Sequence, residues 1–186
     1  PAALNATRWQ DWYQAAETAY AGLAARCTRV FVGGESTGAL LALLLAARHP
    51  EAAGVLAYAP ALELRMSILQ KLALPLLALF IPALPKPDLE GNKTWQGYPV
   101  NPLKAVVQLR RLQSVVRREL PQITQPLLVV QGRQDMTIDQ RSAEMVLNAV
   151  KSKAKELHWM EKSGHCVLLE QELHQVTLLT LNFLYK

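Results

Sequence analysis

At 186 residues, 51% of them hydrophobic, the chain can bury a sizeable core in one domain without disulfide staples. Its two cysteines, Cys27 and Cys166, are too few and too separated for a disulfide framework or a thiolate metal site, and they read as free thiols in a reducing compartment. The formal charge of +5 is scattered except for one group at Arg110, Arg111, Arg117 and Arg118, and no aromatics interleave with the basic residues, which argues against nucleic acid as a partner.

Thr7 followed by Gln10 suggests a capping box, and Trp9, Trp12, Tyr13, Ala16, Tyr20 and Leu23 then recur at helical spacing, predicting an amphipathic helix. Val30 to Val32 reads as a short buried strand. It runs into Gly33, Gly34, Glu35, Ser36, Thr37 and Gly38, after which a helix extends from Thr37 to about His49, closed by His49 and Pro50. "GVLAYAP", from Gly54, is a second buried strand.

Between Leu62 and Leu120 the pattern changes to a proline-interrupted apolar helix, a loop ("PKPDLEGNKTWQGYPVNP") and an arginine-bearing helix. Ala105, Leu109, Leu112 and Val116 mark the buried stripe of that last helix. Its arginines fall largely between them, as a wet face or as a patch for phosphate or anionic membrane. The segment from Leu72 to Pro85 is the one candidate membrane span, but it has only 14 residues and is broken by Pro75 and Pro82, where a span needs about 20 apolar residues. With no basic-then-apolar start either, the expectation is a cytoplasmic protein without stable membrane insertion.

"LLVVQG" predicts a third buried strand. A helix with Ala143, Val146, Leu147 and Val150 in register follows behind a cap at Asp139, then "KELHWME" as a fourth strand and a final helix from about Gln171 to Tyr185. Strands separated by helices imply the α/β class: a mostly parallel sheet with helices on both faces, one domain over residues 1–186, with residues 62–120 inserted. Ligands in such sheets sit at the carboxyl ends of the strands, where three loops emerge: Gly33 to Gly38, Gly132 to Asp139, and Glu161 to Cys166.

Each loop carries at least one chemically capable residue. Gly34, Glu35, Ser36, Thr37 and Gly38 fit G-x-S-x-G, a tight strand-to-helix turn that holds a hydroxyl up at the top of a sheet. A serine needs a base to take its proton, and the base needs a partner to fix its tautomer. His165 and Asp135 stand just past the fourth and third strands, and Asp139 is a second candidate acid, though better placed to cap the next helix. His49 at a helix end, His158 within a strand and His174 within a helix read as structural. Cys166 beside His165 reads as a small buried residue rather than a nucleophile.

These stretches, with "NPLKAVVQLRRLQSVVRREL" and "KSGHCVLLEQE", resemble the carboxylesterase and monoacylglycerol lipase group of the α/β-hydrolase superfamily over nearly the whole chain. The resemblance implies Ser36 as nucleophile, Asp135 as orienting acid, His165 as general base and the Thr37 N–H as an oxyanion donor, with no metal and no cofactor. Ala39 stands where many relatives carry another glycine. The family fold also begins with strands ahead of the first helix seen here, and one of their loops supplies the second oxyanion donor. The chain, which lacks an initiating Met, is therefore expected to be the C-terminal part of a longer protein whose N-terminal segment completes the sheet.

The function expected is hydrolysis of small-molecule carboxylic esters with short-to-medium acyl chains. The alternatives are a monoacylglycerol lipase using the same triad, thioester or lactone hydrolysis, and a non-catalytic binding protein of the same fold. Nine large apolar residues between Leu69 and Leu84 exceed one core-facing stripe. They imply either a buried helix pair or a cap whose underside, including Leu77 and Phe80, lines an acyl pocket.

Overall fold

The computed structural model describes residues 1–86 and 97–186. The chain starts with a helical turn, α1 (Ala2–Asn5), and the amphipathic helix α2 (Trp9–Ala24). The expected Thr7–Gln10 capping box does not form. Because α1 ends just before Thr7, that hydroxyl is drawn back to the Leu4 carbonyl (2.9 Å) and accepts the Trp12 indole N–H (2.7 Å). The carboxylate of Asp11 instead takes the Arg8 N–H at 2.7 Å.

Next come β1 (Phe31–Glu35), α3 (Thr37–Arg48) and β2 (Gly54–Tyr58), then the insertion with α4 (Ile68–Phe80), β3 (Ala83–Pro85), β4 (Val100–Pro102) and α5 (Leu103–Glu119). After a 3₁₀ turn at Leu120–Gln122 the chain continues through β5 (Leu127–Gly132), α6 (Arg141–Ala149), β6 (Lys155–Met160) and α7 (Leu173–Leu184). The four strands β1, β2, β5 and β6 make a parallel sheet in that spatial order. β1 extends three residues beyond the expected strand, since Gly33, Gly34 and Glu35 keep register with Leu56, Ala57 and Tyr58. The turn is thereby confined to Ser36.

Side-chain alternation divides β5 between two cores. Leu127 and Val129 face a layer with Leu40, Leu43 and Leu44 of α3, Leu112 and Val116 of α5, and Val146 of α6. Leu128 and Val130 face Tyr58, Met160, and Val176 and Phe183 of α7. With both faces covered, the central strands read as unbroken apolar runs.

The insertion leaves the sheet after β2, at the carboxyl ends of the strands. Its α4 passes straight through Pro75, where an interruption was expected. A proline removes the bond to the carbonyl four residues back, here that of Lys71. The Arg110 guanidinium reaches across from α5 and supplies the missing donor at 2.5 Å. Arg117 similarly donates to the Leu62 carbonyl and pairs with Glu63, which also binds Lys71. Two of the four clustered arginines therefore tie the insertion together, and the wet-face reading holds for Arg111 and Arg118, which are exposed.

α4 packs on α5 through Leu74, Ala78 and Leu103, while Leu69, Leu72, Leu76, Leu79 and Phe80 lie exposed. The segment read as a loop forms a short antiparallel pair at its two ends, β3 with β4, and its middle, residues 87–96, lies outside the described residues. Among the described residues no helix is long and apolar enough to cross a membrane. Cys27 and Cys166 are free thiols.

Candidate active site

The turn after β1 is strained at one residue: Ser36 has φ 57° and ψ −114°, a region that non-glycine residues rarely occupy. Its backbone is over-determined, the N–H donating to the Tyr58 carbonyl (2.9 Å) and the carbonyl accepting from the Ala61 N–H (3.3 Å). Serine at a helix N-cap normally turns its hydroxyl onto the helix, but this one makes no such bond. Gly34 permits the turn, since a Cβ there would lie 2.5 Å from the Gly38 carbonyl carbon. A Cβ at Gly38 would meet nothing within 4 Å.

The freed hydroxyl meets the histidine. Ser36 Oγ lies 2.9 Å from His165 Nε2, and His165 Nδ1 lies 2.8 Å from Asp135 Oδ2. Asp135 is wholly buried, and its other oxygen accepts the N–H groups of Thr137 (2.8 Å) and Ile138 (3.1 Å). Burial pushes this carboxyl up, but the hydrogen bond and charge of His165 with the two backbone donors outweigh it and hold it below the usual carboxylate range. Asp135, not Asp139, meets the histidine. The Asp139 carboxylate takes the Arg141 N–H at the start of α6 and pairs with the Arg141 guanidinium.

Among the other histidines, His49 bonds Glu17 and Glu51, His158 bonds Glu156, and His174 is exposed. Burial and the carboxylates of Glu35, Glu170 and Asp135 push the Cys166 thiol up to about 11, which disfavours the reactive thiolate. Among the described residues, no group of three or more His, Cys, Asp and Glu is placed to hold a metal ion.

The loop that presents His165 is held by three carboxylates that the motif reading passed over. Glu172 accepts the Lys162 N–H (2.8 Å) and the Ser163 hydroxyl (2.7 Å), and Glu170 accepts the N–H groups of Gly164 and Cys166. Glu35, between Gly34 and Ser36, accepts the Leu168 N–H at 3.0 Å and so joins the serine turn to the histidine loop. Burial raises the Glu35 carboxyl above its ordinary range. The sequence signal was the E-Q-E run beginning five residues after His165.

The end of β5 presses on the same loop. A Cβ at Gly132 would lie 1.9 Å from the Gly164 carbonyl oxygen and 2.4 Å from that of Ser163. Gly132→Ala must displace the loop, and a misplacement of about 1 Å can cost about 10²-fold in rate. A fall in kcat of that order is the expected result, measured on a p-nitrophenyl ester beside a thermal melt that shows a folded protein.

Thr37 is the first residue of α3, where a backbone N–H lacks an intrahelical acceptor. It also lines a cavity of about 360 Å³, walled by Trp12, Tyr98, Val100, Ala105, Val106 and Leu109 among others. Leu77 and Phe80 are not among its lining residues; Leu77 is 40% and Phe80 79% exposed. The apolar wall of this cavity is built from α1, α2, β4 and α5.

The profile of the Hydrolase_4 family, described as serine aminopeptidase, S33, matches residues 3–172. A thermostable monoacylglycerol lipase from Bacillus sp. (strain H-257) is 25% identical over 184 residues, 98% of this chain and 73% of that protein. A carboxylesterase from Bacillus subtilis (strain 168) is 39% identical over 83 residues, 45% of this chain and 32% of that protein. Among solved structures, one reported for the metagenome-derived lipolytic enzymes LipS and LipT superposes with a TM-score of 0.85 at 28% identity, covering 98% of this chain and 76% of that one.

Proposed function

From the premise that this chain belongs to the Hydrolase_4 family of α/β-hydrolases, we propose that it is a serine hydrolase of the lipase and esterase type that cleaves carboxylic esters through an acyl-enzyme on Ser36. The observation that carries this reading is the hydrogen-bonded line Ser36–His165–Asp135 at a strained turn. Ser36 Oγ attacks the ester carbonyl while His165 Nε2 takes its proton. Asp135 holds Nδ1–H and stabilises the imidazolium. The Thr37 N–H donates to the oxyanion, His165 returns the proton to the departing alcohol, and water activated by the same histidine releases the acid. A fluorophosphonate probe should label the protein at Ser36 and leave Ser36→Ala unlabelled. Equal labelling of both would end the proposal.

The acyl chain is assigned to the cavity beside Thr37, with a short-to-medium preference in keeping with its modest size. A methylene fitted into an apolar pocket is worth about 1–3 kcal/mol. Catalytic efficiency on p-nitrophenyl esters is therefore expected to climb with chain length and then level. Val106→Asp should penalise the longer esters more than the acetate, whereas Phe80→Asp should leave the profile nearly unchanged. A climb that continues through long chains would favour a lipase, and a flat profile would count against the cavity.

A further inference from the structure

Gln131 lies near the end of β5, four residues before Asp135, and its side chain is completely buried. Alternation along the strand places it on the face of Leu127 and Val129, where a Leu or Met would fit the apolar layer. A buried amide there is a liability. Its Nε2 lies 3.0 Å from Asp135 Oδ2, the oxygen bonded to His165 Nδ1, and 3.3 Å from the Gly132 carbonyl. Its own carbonyl oxygen is buried without a hydrogen-bond partner among the described residues. Both neighbours of the amide nitrogen are acceptors, so a flipped amide would set oxygen against carboxylate. The orientation is fixed by Asp135, at the expense of the unpartnered oxygen.

We propose that Gln131 is a positioning residue of the triad, whose amide N–H holds Asp135 Oδ2 in line with His165 and takes up part of its negative charge. The inference rests on the proposed function. With Gln131, Asp135 has four donors on two oxygens: Thr137 and Ile138 on Oδ1, His165 and Gln131 on Oδ2. Take one away and the remaining charge is less shared, so it stabilises the imidazolium of His165 more strongly. The histidine then keeps its proton to a higher pH, and the acid limb of activity moves up. Glu35 at the end of β1 and Cys166 in the histidine loop act on this pair by charge, Glu170 acts on both of those groups, and Lys86 after β3 acts on Cys166. They are the same in wild type and variant, so the shift isolates the amide.

The test compares wild type with Gln131→Met, which keeps the volume and removes the donor, and Gln131→Glu. Two readouts are taken: kcat/KM for p-nitrophenyl acetate against pH, and the His165 imidazole titration by NMR. For Gln131→Met the expected result is a loss of about 10-fold to 10²-fold in kcat/KM, with the acid limb and the NMR titration both moved to higher pH. A loss of rate with neither moved would mark a purely structural role and overturn the proposal, as would no loss at all. In Gln131→Glu the new carboxyl, buried beside Asp135, holds its proton at neutral pH and donates O–H in place of N–H. That variant should keep the acid limb near its wild-type place and lose activity on an alkaline limb, absent from wild type, as the second carboxyl ionises. Should Gln131→Met fail to fold, an alkaline profile of Gln131→Glu equal to wild type overturns the proposal. A wild type without esterase turnover would sink the proposed function instead, and the NMR titration would still decide the role of Gln131.

Discussion

Replacing Ser36 or His165 by alanine is expected to lower kcat on a p-nitrophenyl ester by on the order of 10⁶-fold, and replacing both should cost little more. In the proposed mechanism the two side chains act in one event, with 2.9 Å between Ser36 Oγ and His165 Nε2, so removing either abolishes the same proton transfer. Neither change should harm folding by much. The Ser36 hydroxyl makes no capping bond, and the strained backbone is held through Tyr58 and Ala61, whose bonds survive the substitution. Removing the hydroxyl therefore deletes chemistry and little else. The check is steady-state kinetics on both single variants and the double, with thermal melts alongside. A Ser36→Ala protein that kept a substantial fraction of the activity, or losses that multiplied, would contradict the concerted role.

Asp135→Asn carries the next largest expected effect, about 10⁴-fold in kcat. The carboxylate accepts at both oxygens, from backbone at Oδ1 and from His165 and Gln131 at Oδ2. An amide set in that place must turn an NH₂ toward one of these donors, and the imidazole is driven to the tautomer that points N–H at Ser36. Asp139→Asn should change kcat only a few-fold, since that carboxylate serves the start of α6 and Arg141. Loss of the Asp135 charge also withdraws support from the imidazolium, so the acid limb of the remaining activity should move to lower pH. That direction is opposite to the one expected for Gln131→Met, and pH–rate profiles of the two variants separate the contributions. A larger loss from Asp139→Asn than from Asp135→Asn would reverse the assignment.

Much of the site was legible because its signals are local. A hydroxyl between glycines at a strand end, an acid and a histidine just past two later strands, and apolar runs bounded by turns are all properties of short stretches. The strand "LLVVQG" appears in the structure with the bounds expected, and α3 and α7 differ from expectation by one or two residues at their ends. The corrections share a cause. Thr7 was read as a cap, but a helical turn just ahead of it competes for its hydroxyl. Pro75 was read as a helix breaker, but a guanidinium 35 residues later satisfies the carbonyl it orphans. Apolarity alone likewise does not say which edge of α4 meets α5: Leu74 and Ala78 do, while Leu77 and Phe80 are exposed.

What the sequence determined by itself was the class of the fold, the glycine-flanked turn that carries Ser36 and a short set of candidate partners for it. Backbone propensity, apolar periodicity and the chemistry of a serine that needs a base are sufficient for those. The tertiary structure alone decided which acid faces the histidine, what holds the histidine loop and which wall lines the cavity beside Thr37. Those outcomes turn on hydrogen bonds between groups distant in the chain: Asp135 with His165 across 30 residues, Ser36 with His165 across 129, Glu35 with Leu168 across 133. No local preference selects such partners. They are chosen when burial removes water as the competitor and each buried donor or acceptor must find its match within the fold.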